Sequence, residues 1–132
     1  MPGDNVDLIR RYYAHLAETG EPLWELHAPE IAFDVTDVMP DAEVLRGREA
    51  VGAALRAYAD TFEDFQIELE EIVAADEDHV VTAVRDGGRI KGSDAVIENR
   101  FFHAWTIREG KIVRWSSHLS QAAAVDSVGL AQ

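Results

Sequence analysis

Apolar and polar positions follow two different rhythms in the two halves of this chain. Before about Thr61 the apolar residues recur three and four apart, as on a helix face. From Glu63 to Ser120 they alternate with polar ones, as on a strand. Val6, Ile9, Tyr13, Leu16 and Ala17 form the stripe of a first helix, with Asp4 or Asn5 as cap and Gly20 as stop. Pro22 opens a short second helix, Leu23 to His27, which Pro29 ends. Ile31 to Val35 is a short strand with Phe33 and Val35 on one face, and Asp37 to Val44 is a loop. After Gly47, the stripe Val51, Ala54, Leu55 and Tyr58 predicts a third helix to about Thr61.

The alternating half then predicts four strands. Phe65, Ile67 and Leu69 alternate with Gln66, Glu68 and Glu70. Asp76-Glu77-Asp78 turns the chain into His79 to Arg85. Asp86-Gly87-Gly88 opens a longer connection through Gly92. A long strand runs from about Val96 to Ile107, Arg108-Glu109-Gly110 makes a hairpin turn, and Lys111 to Leu119 closes the set. Gln121 to Gly129 reads as a short amphipathic tail. Helices first and an antiparallel meander after them predict an α+β domain, with helices on one face of the sheet. A sheet this long in so short a chain must curl, and the helical half must cover an apolar hollow.

Composition narrows the possible partners. The 132 residues suit one domain, with a core over about 6–120 and a tail over 121–132. The formal charge of −13 repels phosphate backbones and anionic lipid, so neither nucleic acid nor a membrane is an expected partner. Neither a signal peptide at Met1–Asn5 nor a run of membrane-spanning length is apparent. There is no cysteine, which fits a cytoplasmic location and removes thiolate metal sites and nucleophiles. His15, His27, His79, His103 and His118 show no ligand-spaced pair, so neither metal nor other cofactor is expected.

Several short runs together resemble the SnoaL-like and ketosteroid-isomerase-like proteins of the nuclear transport factor 2-like superfamily. They are Arg11-Tyr12-Tyr13 with Gly20-Glu21, Ala28-Pro29-Glu30-Ile31-Ala32-Phe33, Arg46-Gly47-Arg48-Glu49-Ala50-Val51, and Ala104-Trp105-Thr106-Ile107-Arg108-Glu109-Gly110-Lys111-Ile112-Val113. The resemblance implies a cone-shaped curved antiparallel sheet, mixed at one edge and covered by three N-terminal helices. It also implies a homodimer through the convex sheet face. The functions it implies are acid–base chemistry without a cofactor on a small apolar carbonyl compound, of the isomerase or polyketide-cyclase kind, or else binding of a hydrophobic molecule without turnover.

The resemblance also suggests site residues. Tyr13 falls where the isomerases keep an oxyanion-hole tyrosine; otherwise it is a core aromatic. His103 falls where they keep a protonated aspartic acid, and pleating puts Phe101, His103 and Trp105 on one face. The isomerases' basic aspartate falls on Val35, leaving Asp37, or less simply Asp34, as the base. Asp37 reads equally well as a loop-capping residue. Trp24, Phe33, Val35, Met39, Tyr58, Phe62, Phe101, Trp105, Trp115 and Ser117 are the expected pocket lining. The limonene-epoxide-hydrolase branch is matched at Asp86 alone, since its arginine and second aspartate read Val84 and Ser117 here; Asp86 also suits a turn before Gly87-Gly88.

Overall fold

Helix α1 covers Pro2–Thr19, and a 3-10 turn at Trp24–Leu26 leads directly into strand β1, His27–Asp34. These boundaries come from a computed structural model, which describes residues 2–130. Strand β2 (Leu45–Arg46) and helix α2 (Arg48–Asp60) follow. Strands β3 (Gln66–Ala75), β4 (His79–Arg89), β5 (Val96–Arg108) and β6 (Lys111–His118) then form the meander, and α3 (Gln121–Ser127) ends it. The six strands make one open sheet in the order β2-β1-β6-β5-β4-β3. All neighbours are antiparallel except β1 and β6, which run parallel. The expected α+β architecture with a mixed edge is the one observed. No described helix is long and apolar enough to cross a membrane. Met1 and the last two residues of the expected tail, 131 and 132, lie outside the described residues.

Alternation decides what each face of the sheet does. On the inner face Val80, Val84, Trp105, Ile107, Ile112 and Trp115 join Ile9, Tyr12, Tyr13 and Leu16 of α1 in the main core. On the outer face Val81 and Ala104 pack beneath Ala124 and Val125 of α3, with Phe102 beside them. The predicted division of Phe101, His103 and Trp105 from Phe102 and Ala104 is therefore the observed one.

Three local expectations need correction. The second helix is a single 3-10 turn, because extended backbone resumes at His27 and Pro29 sits inside β1 rather than beyond a helix. Strand β1 ends at Asp34, and the Val38 and Met39 amides turn back onto the Val35 carbonyl at 3.0 and 2.7 Å. Asp86-Gly87-Gly88 does not leave the sheet, since β4 pairs with β5 as far as Arg89. Gly87 has φ 143°, and a Cβ there would lie 2.0 Å from the Ile97 carbonyl oxygen. Here glycine permits close strand approach instead of a turn.

Gly52 has a different reason. It lies in α2, where a Cβ would fall 2.1 Å from the Trp24 ring. Alanine for glycine in an open helix gains about 1 kcal/mol. At this contact overpacking should outweigh that gain, so Gly52→Ala is expected to cost about 1–3 kcal/mol. A urea midpoint equal to or above the parent's would show that Trp24 gives way freely.

Candidate active site

A cavity of about 540 Å³ opens between the inner sheet face, α2 and the loop after β1. Phe33, Phe101 and Trp115 come from the strands, Leu55 and Tyr58 from α2, and Val38 and Met39 from the loop. Of the expected lining residues, Phe33, Val35, Met39, Tyr58, Phe101, Trp115 and Ser117 line it, while Trp24, Phe62 and Trp105 do not. Trp24 covers Gly52 and meets the His27 ring edge-on at 5.4 Å. Phe62 packs with Tyr58 and Phe65. Trp105 is wholly buried and stacks on Trp115 at 4.3 Å.

His103 is a polar group of the inner wall. Register places it between Thr82 on β4 and Ser117 on β6. Its Nδ1 lies 2.7 Å from the Tyr13 hydroxyl, which is also 2.8 Å from Thr82 Oγ1 and accepts from Trp105 Nε1 at 3.1 Å. Trp105 can only donate. Every proton of the network finds an acceptor if Thr82 donates to Tyr13 and Tyr13 donates to His103 Nδ1. That arrangement leaves the ring proton on Nε2, which has no protein partner among the described residues. Burial, and secondly the neighbouring His118, lower the His103 pKa to about 3, so the ring is neutral near neutral pH.

This geometry revises the part expected of Tyr13. It does not line the cavity, and its hydroxyl is enclosed by His103, Thr82 and Trp105. Burial raises its pKa above the ordinary tyrosine value. Tyr13 therefore positions the His103 ring and does not itself face a ligand. A second donor belongs to the same wall: Trp115 lies 5.4 Å from His103 between ring centroids, and its Nε1 is buried without an acceptor among the described residues.

The carboxylates are arranged otherwise than expected. Asp37 does not line the cavity. Its Oδ2 sits 2.9 Å from His118 Nδ1, and about half of its side chain is in solvent. The early end of β1 turns it away, which corrects its expected role as the base. His118 Nε2 lies 2.8 Å from Ser116 Oγ, so Ser116, His118 and Asp37 have the connectivity of a hydrolase triad. Ser116 is only 1 % exposed and does not line this cavity, so the set ties the loop to β6 and presents no nucleophile to it. Asp34, the other candidate, accepts from Thr36 and pairs with Arg114 at 2.8 Å.

Two carboxylates reach the cavity, the exposed Glu43 and the buried Asp86. Asp86 Oδ1 accepts from the Tyr58 hydroxyl at 2.8 Å and from Asn99 Nδ2 at 3.3 Å, while Oδ2 has no protein partner among the described residues. Burial raises the Asp86 pKa above the ordinary carboxylate value, against the lowering effect of those two donors. The sequence signal was available: Val80, Thr82, Val84 and Asp86 share one strand face. Val84 is core, and Ser117 lines the cavity. Among the described residues, no group of three or more acidic or histidine side chains is placed to hold a metal.

Comparison with known proteins agrees with this architecture. A family model described as a SnoaL-like domain matches residues 9–115. No curated protein matches the chain by sequence. A Catenulispora acidiphila protein of ketosteroid isomerase-like fold, solved in complex with trimethylamine, superposes with a TM-score of 0.71 at 18% identity, covering 94% of this chain and 93% of that one. A putative SnoaL-like polyketide cyclase from Jannaschia sp. CCS1 gives 0.75 at 15% identity, covering 99% and 95%. The epoxide hydrolase/cyclase-like enzyme SalBIII of salinomycin pyran ring formation gives 0.72 at 14%, covering 91% and 93%. At these identities the likeness establishes the fold alone.

Proposed function

This chain belongs to the SnoaL-like domain family, and on that basis we propose that it is an acid–base enzyme for a small, uncharged, mostly apolar conjugated carbonyl compound. The observation that carries this reading is the pairing in one apolar cavity of a neutral His103 and a buried Asp86, whose Nε2 and Oδ2 have no protein partner among the described residues. His103 donates to the carbonyl oxygen and stabilises the charge that develops there. Asp86, its pKa raised, is the base. Tyr58 and Asn99 orient that carboxylate, and Tyr13 and Thr82 orient the imidazole.

Spacing constrains the reaction. Asp86 and Thr82, the neighbour of His103, are four residues apart on β4, about 13 Å of strand. A base set apart from the oxyanion donor suits loss of a proton from the γ-carbon of an enone, which is remote from the carbonyl oxygen. The C–H pair moves through the conjugated system onto oxygen, and the proton returns at the α-carbon. The same base serves a ring closure: it takes the proton of a substrate hydroxyl as that oxygen adds to the β-carbon, the C=C pair moves onto the carbonyl oxygen, and the proton returns at the α-carbon. The cyclase and cyclase-like names among the fold neighbours agree with this chemistry.

Exchange of γ-hydrogens of a cyclic enone in heavy water, followed by NMR, tests the reading without knowledge of the natural substrate. His103→Ala and Asp86→Asn should each slow exchange by about tenfold to a thousandfold with the fold intact. Parent-like exchange in both variants would sink the mechanism. The predominance of aliphatic and aromatic lining favours one competing reading, retention of an apolar ligand without turnover. Tight binding of the enone with no exchange by the parent would establish that one.

A further inference from the structure

We infer that the cavity also takes lipophilic amines, held as ammonium ions against Asp86 Oδ2. This rests on the proposed use of the cavity as a ligand site, and is independent of turnover. Asp86 is more than nine-tenths buried and lines the apolar cavity. Both of its protein donors, Tyr58 and Asn99, spend themselves on Oδ1. A buried carboxylate with one oxygen unpaired is costly as an anion. An ammonium supplies both the missing donor and the missing charge, whereas an alcohol supplies only a donor.

The surroundings select the same ligand class. The cavity lining contains two acids, Glu43 and Asp86, and no lysine or arginine. No protein cation therefore competes for Oδ2, and no cation is present to welcome an anionic ligand. Tyr58 and Phe65, with ring centroids 5.7 Å apart, line the cavity together with Phe101. Their faces suit a cation within about 6 Å of a ring centre. Over longer range the charge of −13 enriches cations and depletes anions around the protein. An amine seated there occupies the proposed base, so it acts as an inhibitor of proton transfer.

Three probes with one skeleton test the inference: naphthylmethylamine, naphthylmethanol and naphthoate, titrated by calorimetry near neutral pH. The amine should bind at least tenfold more tightly than the alcohol, and the carboxylate more weakly than either. Asp86→Asn should bring amine and alcohol within about threefold of each other. Glu43→Gln alters an exposed side chain, so it is a safe second variant and should keep the preference for the amine. An alcohol bound as tightly as the amine by the parent overturns the inference, as does loss of the preference in Glu43→Gln. Should Asp86→Asn not fold, the parent comparison and Glu43→Gln still decide the matter. If none of the three probes binds, the ligand-site reading falls as well. If the alcohol binds and only the amine preference is missing, that reading stands alone.

Discussion

Trp105→Ala is expected to lose about 3–5 kcal/mol of folding stability, the cost of removing a large, fully packed aromatic. Trp105 is wholly buried, stacks on Trp115 at 4.3 Å, and meets Tyr12 and Tyr13 edge-on at 5.2 and 5.5 Å. Its Nε1 also donates to the Tyr13 hydroxyl, so alanine leaves that oxygen one donor short in a dry setting. The loss is comparable to the whole stability of a weakly stable domain. Guanidinium unfolding followed by circular dichroism measures it. Trp105→Phe separates the two causes: it keeps most of the packing and removes only the donor, so its cost should be about 1–3 kcal/mol. A loss below 1 kcal/mol in the alanine variant would show that the inner wall collapses around the gap.

Acid should unfold this protein through two histidines it keeps neutral. Burial, and for His27 the nearby Arg48, lower its pKa to about 4; for His103 the value is about 3. In the unfolded chain both titrate near 6.5. As pH falls below about 6.5 the unfolded chain takes up two protons that the folded chain refuses, so stability drops. The slope is about 1.4 kcal/mol per pH unit for each histidine until its folded pKa is reached. Near pH 4.5 the pair accounts for roughly 5 kcal/mol of lost stability. Asp86 works in the opposite sense, because a carboxyl with a raised pKa protonates in the fold first. Histidine variants isolate the effect: His27→Gln and His103→Gln should each flatten the dependence of stability on pH between about 6.5 and 4.5. Parent stability that holds constant over that window would refute the argument.

Much of the fold was legible because it depends on local periodicity. The stripe from Ile9 to Leu16 and the alternation around His103 fix which faces turn inward, and both are properties of a few neighbouring residues. Tyr13 and His103 were legible as a pair by resemblance, and their hydroxyl and ring nitrogen do meet. That Tyr13 serves the ring instead of a ligand depends on Thr82 and Trp105, which lie about seventy and ninety residues away. Asp37 could not be placed, because its partner His118 lies at the far end of the chain. Asp86 was obscured by Gly87-Gly88, a pair that usually marks a turn. Here a strand edge approaches closely enough to need the missing side chains, and a composition rule does not register such an approach.

The parallel seam between β1 and β6 has a consequence for biosynthesis. It sets Phe33 beside Trp115 and Asp34 beside Ser116, joining the first strand of this sheet to the sixth in chain order. The seam therefore closes only after the chain as far as His118 has emerged, and such distant pairing is slow to form. Until then the nascent chain presents apolar strand edges that invite capture by chaperones or by other emerging copies.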